Sequence, residues 1–182
     1  MTMLAPFVSA LVFTLALAAG SFDRGPVHVV TSDDPKRIDW SVTVPASLDA
    51  VWTAFTTSQG VATWAAPGAD VSLRAGGDWL VRFPNAAPGG GTILVYQPKT
   101  LLAISAMAPE AFPTVRRERT LAVFTFAARG PNQTEVHLAQ TGWKEGAEWE
   151  KAYAYLAEGN AQLLQLLVTR FTSGPIDWSK LR

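Results

Sequence analysis

The chain has 182 residues, of which 48% are apolar and 16% charged. That composition suits one domain with a sizeable core and excludes a disordered chain. Fifteen basic and fifteen acidic side chains cancel, so no global field draws the protein to nucleic acid or to an anionic membrane surface. Cysteine is absent, which removes thiolate metal sites, thiol nucleophiles and disulfides together. The two histidines, His28 and His137, show no ligand spacing. No metal or cofactor is expected. Seven tryptophans point to a bulky core or a ligand cavity, since each brings a large apolar area and one N–H donor.

Residues 4–19 are almost wholly apolar, with no charge before Asp23. The run is shorter than the roughly twenty residues that span a bilayer. It closes on Ala16-Leu17-Ala18, an A-x-A pattern suited to signal peptidase. Residues 1–20 are therefore expected to be a signal peptide and the protein to be exported, to a bacterial periplasm or the medium, with an uncleaved anchor or a buried first helix as the alternatives. Residues 21–35 are polar and turn-rich and are expected to be an extended linker. The domain follows, over 36–182.

Ile38, Trp40, Val42 and Val44 alternate with Asp39, Ser41 and Thr43, the period of a half-buried strand. Ser47 or Asp49 can cap a helix over 48–56, and a second short helix over 58–65 ends at Pro67-Gly68. Strands are predicted from Val71, from Trp79 to Phe83, and over 92–97, 101–106, 119–128 and 134–142. Gly76-Gly77 marks a bend in the series, and Gly130-Pro131-Asn132-Gln133 marks a hairpin. The segment 109–113 looks irregular, and Arg116, Arg117 and Arg119 read as a solvated strand end. The last element is a helix over 147–172 closed by Gly174-Pro175. Its apolar stripe holds Trp149, Tyr153, Leu156, Asn160, Leu163, Leu164, Leu167 and Phe171. At 1.5 Å per residue it is about 39 Å long. The order is a strand, two helices, five or six antiparallel strands and one long helix, an α+β architecture.

That order is the helix-grip arrangement, in which a curved antiparallel sheet wraps the C-terminal helix. The segment Ser41-Val42-Thr43-Val44-Pro45-Ala46-Ser47, followed by Asp49-Ala50-Val51-Trp52-Thr53-Ala54-Phe55-Thr56, resembles the opening of SRPBCC (START-like) proteins. It looks closest to the branch named after the activator of heat-shock protein 90 ATPase. Trp64, Gly76-Gly77-Asp78-Trp79, Thr134-Glu135-Val136-His137-Leu138, Thr141-Gly142-Trp143, Trp149 and Tyr153 resemble the remaining landmarks of that branch. The resemblance covers about residues 38–172. It implies the helix-grip fold, with about six strands and a cavity under the helix, and leaves the activity open, because the superfamily spans lipid carriers, receptors, cyclases and co-chaperone domains.

Trp64, Trp79, Trp143, Trp149 and Tyr153 are the candidate cavity wall, with Phe83, Phe124 and Leu156 as apolar lining; the alternative is that these rings fill the core. Asn160 falls on the buried stripe, where its amide must bond either a ligand or a neighbouring group. Tyr96 and Gln140 can face the same interior by strand alternation, whereas His137 points to solvent. Glu145, Glu148 and Glu150 sit at the start of the long helix, where the helix dipole favours carboxylates. No nucleophile–base pair is apparent, and Gly89-Gly90-Gly91 lacks the Lys-Ser/Thr of a phosphate loop. The expected function is to hold a small hydrophobic molecule or lipid. The alternatives are a cyclase- or dehydratase-type enzyme using a few polar cavity groups, and an interaction module with a filled core.

Overall fold

A computed structural model describes residues 20–180; the expected signal segment lies outside them, apart from its last residue. The chain order is β1 (Gly20–Arg24), β2 (Val27–Asp33), β3 (Lys36–Val44), α1 (Leu48–Thr56), α2 (Ser58–Ala62), β4 (Gly68–Val71), β5 (Asp78–Arg82), β6 (Gly89–Gln97), β7 (Leu101–Met107), α3 (Pro113–Glu118), β8 (Thr120–Gly130), β9 (Gln133–Thr141) and α4 (Ala147–Ser173). A short 3₁₀ turn, Trp178–Lys180, follows.

Among the described residues all nine strands join one sheet in the order β1-β2-β3-β9-β8-β7-β6-β5-β4, and every pairing is antiparallel. The helix-grip architecture holds, with nine strands rather than six. Because β3 pairs with β9, the chain must leave the middle of the sheet and cross to its far edge before β4. Helices α1 and α2 make that crossing. Ser47 caps α1 by accepting from Ala50 N, and Thr57 caps α2 by accepting from Gly60 N.

Two expectations fail. Residues 21–35 are not a linker: β1 and β2 form a hairpin that extends the sheet beyond β3. Val27, Val29 and Thr31 point inward and are buried, while His28 and Val30 point out. The alternation is present in the sequence, but turn-forming residues on both sides of so short a run obscure it. Nor are Arg116 and Arg117 a strand end. Pro113 occupies the first turn of α3, where its missing N–H costs nothing, and the next turn carries both arginines.

The core lies between the sheet and the helices. Helix α4 packs mainly on β2 and β3. Its fully buried stripe is Trp149, Ala152, Tyr153, Ala157, Ala161, Leu164 and Leu167, rotated from the expected one so that Leu156, Asn160, Leu163 and Phe171 are only partly buried. Small Ala157 and Ala161 let the helix backbone come close enough for Trp40 Nε1 to donate to Ala157 O at 2.9 Å. On the sheet, a Cβ on Gly90 would stand 2.1 Å from Trp79 O. The glycine run is thus the place where β5 and β6 meet, and β6 begins at Gly89 rather than at Thr92.

Candidate ligand site

The aromatic residues expected to line a cavity occupy three places. Trp64, Trp79 and Phe124 are buried around Phe55. Phe55 lies 4.8 Å from Trp64, 5.1 Å from Phe124 and 4.9 Å from Phe126, and Trp79 lies 6.2 Å from Phe124. The indole N–H groups there are taken: Trp64 donates to Ala54 O at 3.0 Å and Trp79 to Phe55 O at 2.7 Å. Phe55 on α1 thus gathers these rings, tilted or edge-on to it, and the indoles of Trp64 and Trp79 are fixed by bonds to the α1 backbone.

Trp143, Trp149 and Tyr153 form a second group where β9 runs into α4. Trp143 meets Tyr153 at 5.0 Å and Trp149 at 6.4 Å, both edge-on, and donates to Gln140 O. The Tyr153 hydroxyl donates to Arg37 O at 2.8 Å and Ser32 O at 3.2 Å, tying α4 to the β2–β3 turn. Burial first, and then the Asp33 carboxylate, push its pKa up to about 12.

The polar candidates are engaged with each other. Gln140 is buried, donates to Thr120 Oγ1, and accepts from Asn160 Nδ2. Tyr96 is half-buried at the end of β6, opposite Leu102. Leu156 is half-buried on α4. His137 lies on the outer face of β9 between buried Val136 and Leu138, half-buried and 2.9 Å from Asp39 Oδ1.

Phe83 alone among the predicted residues borders one of the described surface hollows. This hollow, of about 750 Å³, is lined by Pro67, Phe83, Pro84, Asn85, Leu166, Trp178 and Ser179. Three features build it. The β5–β6 loop presents Phe83, which is 46% exposed. The C-terminal half of α4 contributes Leu166. Beyond the helix stop at Gly174 the chain folds back over α2, with Ile176 N donating to Thr63 O and Trp178 Nε1 to Ala62 O. Trp178 then meets Phe83 edge-on at 5.9 Å and 88°. An aromatic pair, Phe83 exposed and Trp178 half-buried, beside aliphatic and proline walls, with one amide and one hydroxyl, is suited to a small apolar molecule. Sequence reasoning missed Pro67, Leu166 and Trp178. A tryptophan in the polar tail after a helix stop was the available signal.

The family described as Activator of Hsp90 ATPase homolog 1-like protein matches residues 45–172, from the proline that ends β3 almost to the end of α4. The chain belongs to that family. Solved structures agree in fold. The Aha1 dimer from Colwellia psychrerythraea superposes with TM-score 0.62 at 20% identity, over 76% of this chain and 97% of that one. CalU16 from Micromonospora echinospora does so with TM-score 0.58 at 20% identity, over 90% and 88%. DynU16, a protein of the dynemicin biosynthetic locus, does so with TM-score 0.59 at 19% identity, over 76% and 48%. No curated protein matches the chain significantly. Family and neighbours place the protein in the Aha1-like branch of SRPBCC proteins. The architecture is one that suggests a ligand-binding or cyclase-like domain.

Proposed function

We propose that the protein is an exported binder of a small apolar molecule, held in the hollow between the β5–β6 loop, α4 and the C-terminal tail. The observation that carries this reading is the pairing of exposed Phe83 with half-buried Trp178 at the wall of a hollow of about 750 Å³, since apolar and aromatic walls are what small-molecule pockets present. The volume lies within the range of about 300–1,000 Å³ usual for small-molecule pockets. Asn85 and Ser179 supply the polar groups that would orient a ligand.

Holding is favoured over catalysis because Gln140 and Asn160, two of the polar groups a cyclase-type mechanism would draw on, are bonded to each other and to Thr120. The likeness in fold to DynU16, a protein of the dynemicin biosynthetic locus, is compatible with a small organic ligand. Export is supported by the apolar leader ending in Ala16-Leu17-Ala18.

Native mass spectrometry of the protein purified from its own compartment, with solvent extraction of the sample, tests the reading. A stoichiometric apolar adduct lost in Phe83→Ala supports it. A bare protein that also fails to take up any member of a small apolar compound library contradicts it.

A further inference from the structure

Three arginines at the α3 end of the molecule have very different surroundings. Arg116 is fixed, its Nη1 donating to Ala108 O and its Nη2 to Pro88 O, both at 2.8 Å. Arg117 lies open on α3, 70% exposed, with Glu118 at 3.7 Å. Glu118 itself is engaged more closely by Lys144, at 2.7 Å. Arg119 differs from both. Its Nη1 is buried and has no acceptor among the described residues. Its backbone stands at φ 68°, ψ 159°, a region that side chains other than glycine's enter only under strain.

A buried charged donor without an acceptor and a strained backbone are each unfavourable. Both fall on one residue, and a glycine there would remove both. That residue lines a hollow of about 420 Å³ whose other walls are Met107, Glu110, Pro113, Arg116 and Arg117. Glu110 brings the single negative charge, and its Oε2 accepts from Ala87 N at 3.3 Å.

We infer that this hollow is an oxyanion site in which Arg117 supplies the charged donors, Arg119 adds positive charge that no acceptor among the described residues offsets, and Arg116, fixed by its backbone carbonyls, forms one wall. Guanidinium groups present paired N–H donors that match the oxygens of a phosphate. Met107 and Pro113 give the site an apolar flank, which suits an ester carrying an organic body. The shared chemistry is a phosphate group, whether free or esterified. The site is separate from the apolar hollow at Phe83 and does not depend on it.

Calorimetric titration of the purified full chain with inorganic phosphate and with phenyl phosphate, at constant ionic strength, tests the inference. Saturable binding of either is expected, weakened several-fold in Arg119→Gly by the loss of a positive charge and at least about ten-fold in Arg117→Gln by the loss of a charged hydrogen bond. Equal affinities assign the free anion; tighter phenyl phosphate assigns an ester. The Tm of Arg119→Gly should equal or exceed that of the parent, because glycine accepts the backbone angles. Should that variant fold poorly, Arg117→Gln decides alone, since its side chain is exposed. No saturable binding of either probe, or affinities unchanged in the variants, would overturn the assignment.

Discussion

Asn160 Nδ2 on α4 donates to Gln140 Oε1 on β9 at 3.0 Å, and Gln140 Nε2 passes the chain on to Thr120 Oγ1 at 2.8 Å. Helix and sheet are thus joined by a polar thread through an otherwise apolar layer. Asn160→Ala leaves the buried Gln140 oxygen without its donor and should cost about 1–2 kcal/mol. Denaturant unfolding of the single variants and of Asn160→Ala/Gln140→Leu should give a non-additive cycle. Additive losses would mean that the two amides do not act together.

Phe55 touches Trp64, Phe124 and Phe126 within about 5 Å and is fully buried. Truncating such a ring removes its transfer energy and leaves a void that interlocked neighbours fill poorly. Phe55→Ala should cost about 3–5 kcal/mol, read from the shift of the denaturation midpoint. A loss under 1 kcal/mol would show that the neighbouring rings are free to collapse.

Tyr153 provides a test in alkali. Its phenol is raised from the ordinary 10.0 to about 12, chiefly by burial. Between those values the unfolded chain gives up a proton that the folded chain retains, so stability falls as pH rises from about 10 to 12. Tyr153→Phe should flatten that part of the stability profile and, at neutral pH, weaken the tie of α4 to Ser32 and Arg37 by about 0.5–1.5 kcal/mol.

Glu148 provides the opposite test in acid. Burial works against its charge, but the N–H groups of Val115 and Thr114 and the hydroxyl of Thr114 outweigh it and hold the carboxyl below its ordinary value of 4.5. Oε1 accepts from Thr114 N at 2.6 Å and from Val115 N at 3.1 Å, so a side chain of α4 caps α3. A depressed carboxyl stabilises above its unfolded value and loses that contribution as pH falls through its folded one. Parent and Glu148→Gln should therefore differ in stability at neutral pH and converge below about pH 4.5, as the parent carboxyl is protonated. Hydrogen exchange at the α3 amides would report the same loss.

The sequence showed the elements whose pattern is carried by local chemistry. Ser47 caps α1, Gly174 ends α4, and the alternation of Ile38, Trp40, Val42 and Val44 marks β3; all three stand where expected. What it obscured depends on partners far along the chain. The β1–β2 hairpin is too short to stand out and gains its buried face only by pairing with β3 and lying under α4. Helix α3 is six residues long, and its N-terminal amides are satisfied by Glu148, more than thirty residues away. At the site, the tryptophan count signalled aromatic mass without saying where it would be exposed. The family resemblance led to Trp64 and Trp79, which the fold packs around Phe55. The ring that pairs with Phe83 comes instead from Trp178, in a tail with no periodicity to mark it.

The central claim is that the Phe83–Trp178 hollow holds a small apolar molecule. Titration with the neutral fluorescent probe N-phenyl-1-naphthylamine tests it most directly, because an uncharged probe does not engage the arginines at α3. One saturable site is expected in the parent and in Arg119→Gly, with affinity reduced at least about ten-fold in Phe83→Ala, as loss of a ring worth about 1.5–3 kcal/mol of burial implies. Leu166→Glu should abolish it by placing a charge in the wall. Binding that is absent from the parent, or indifferent to both substitutions, would contradict the account.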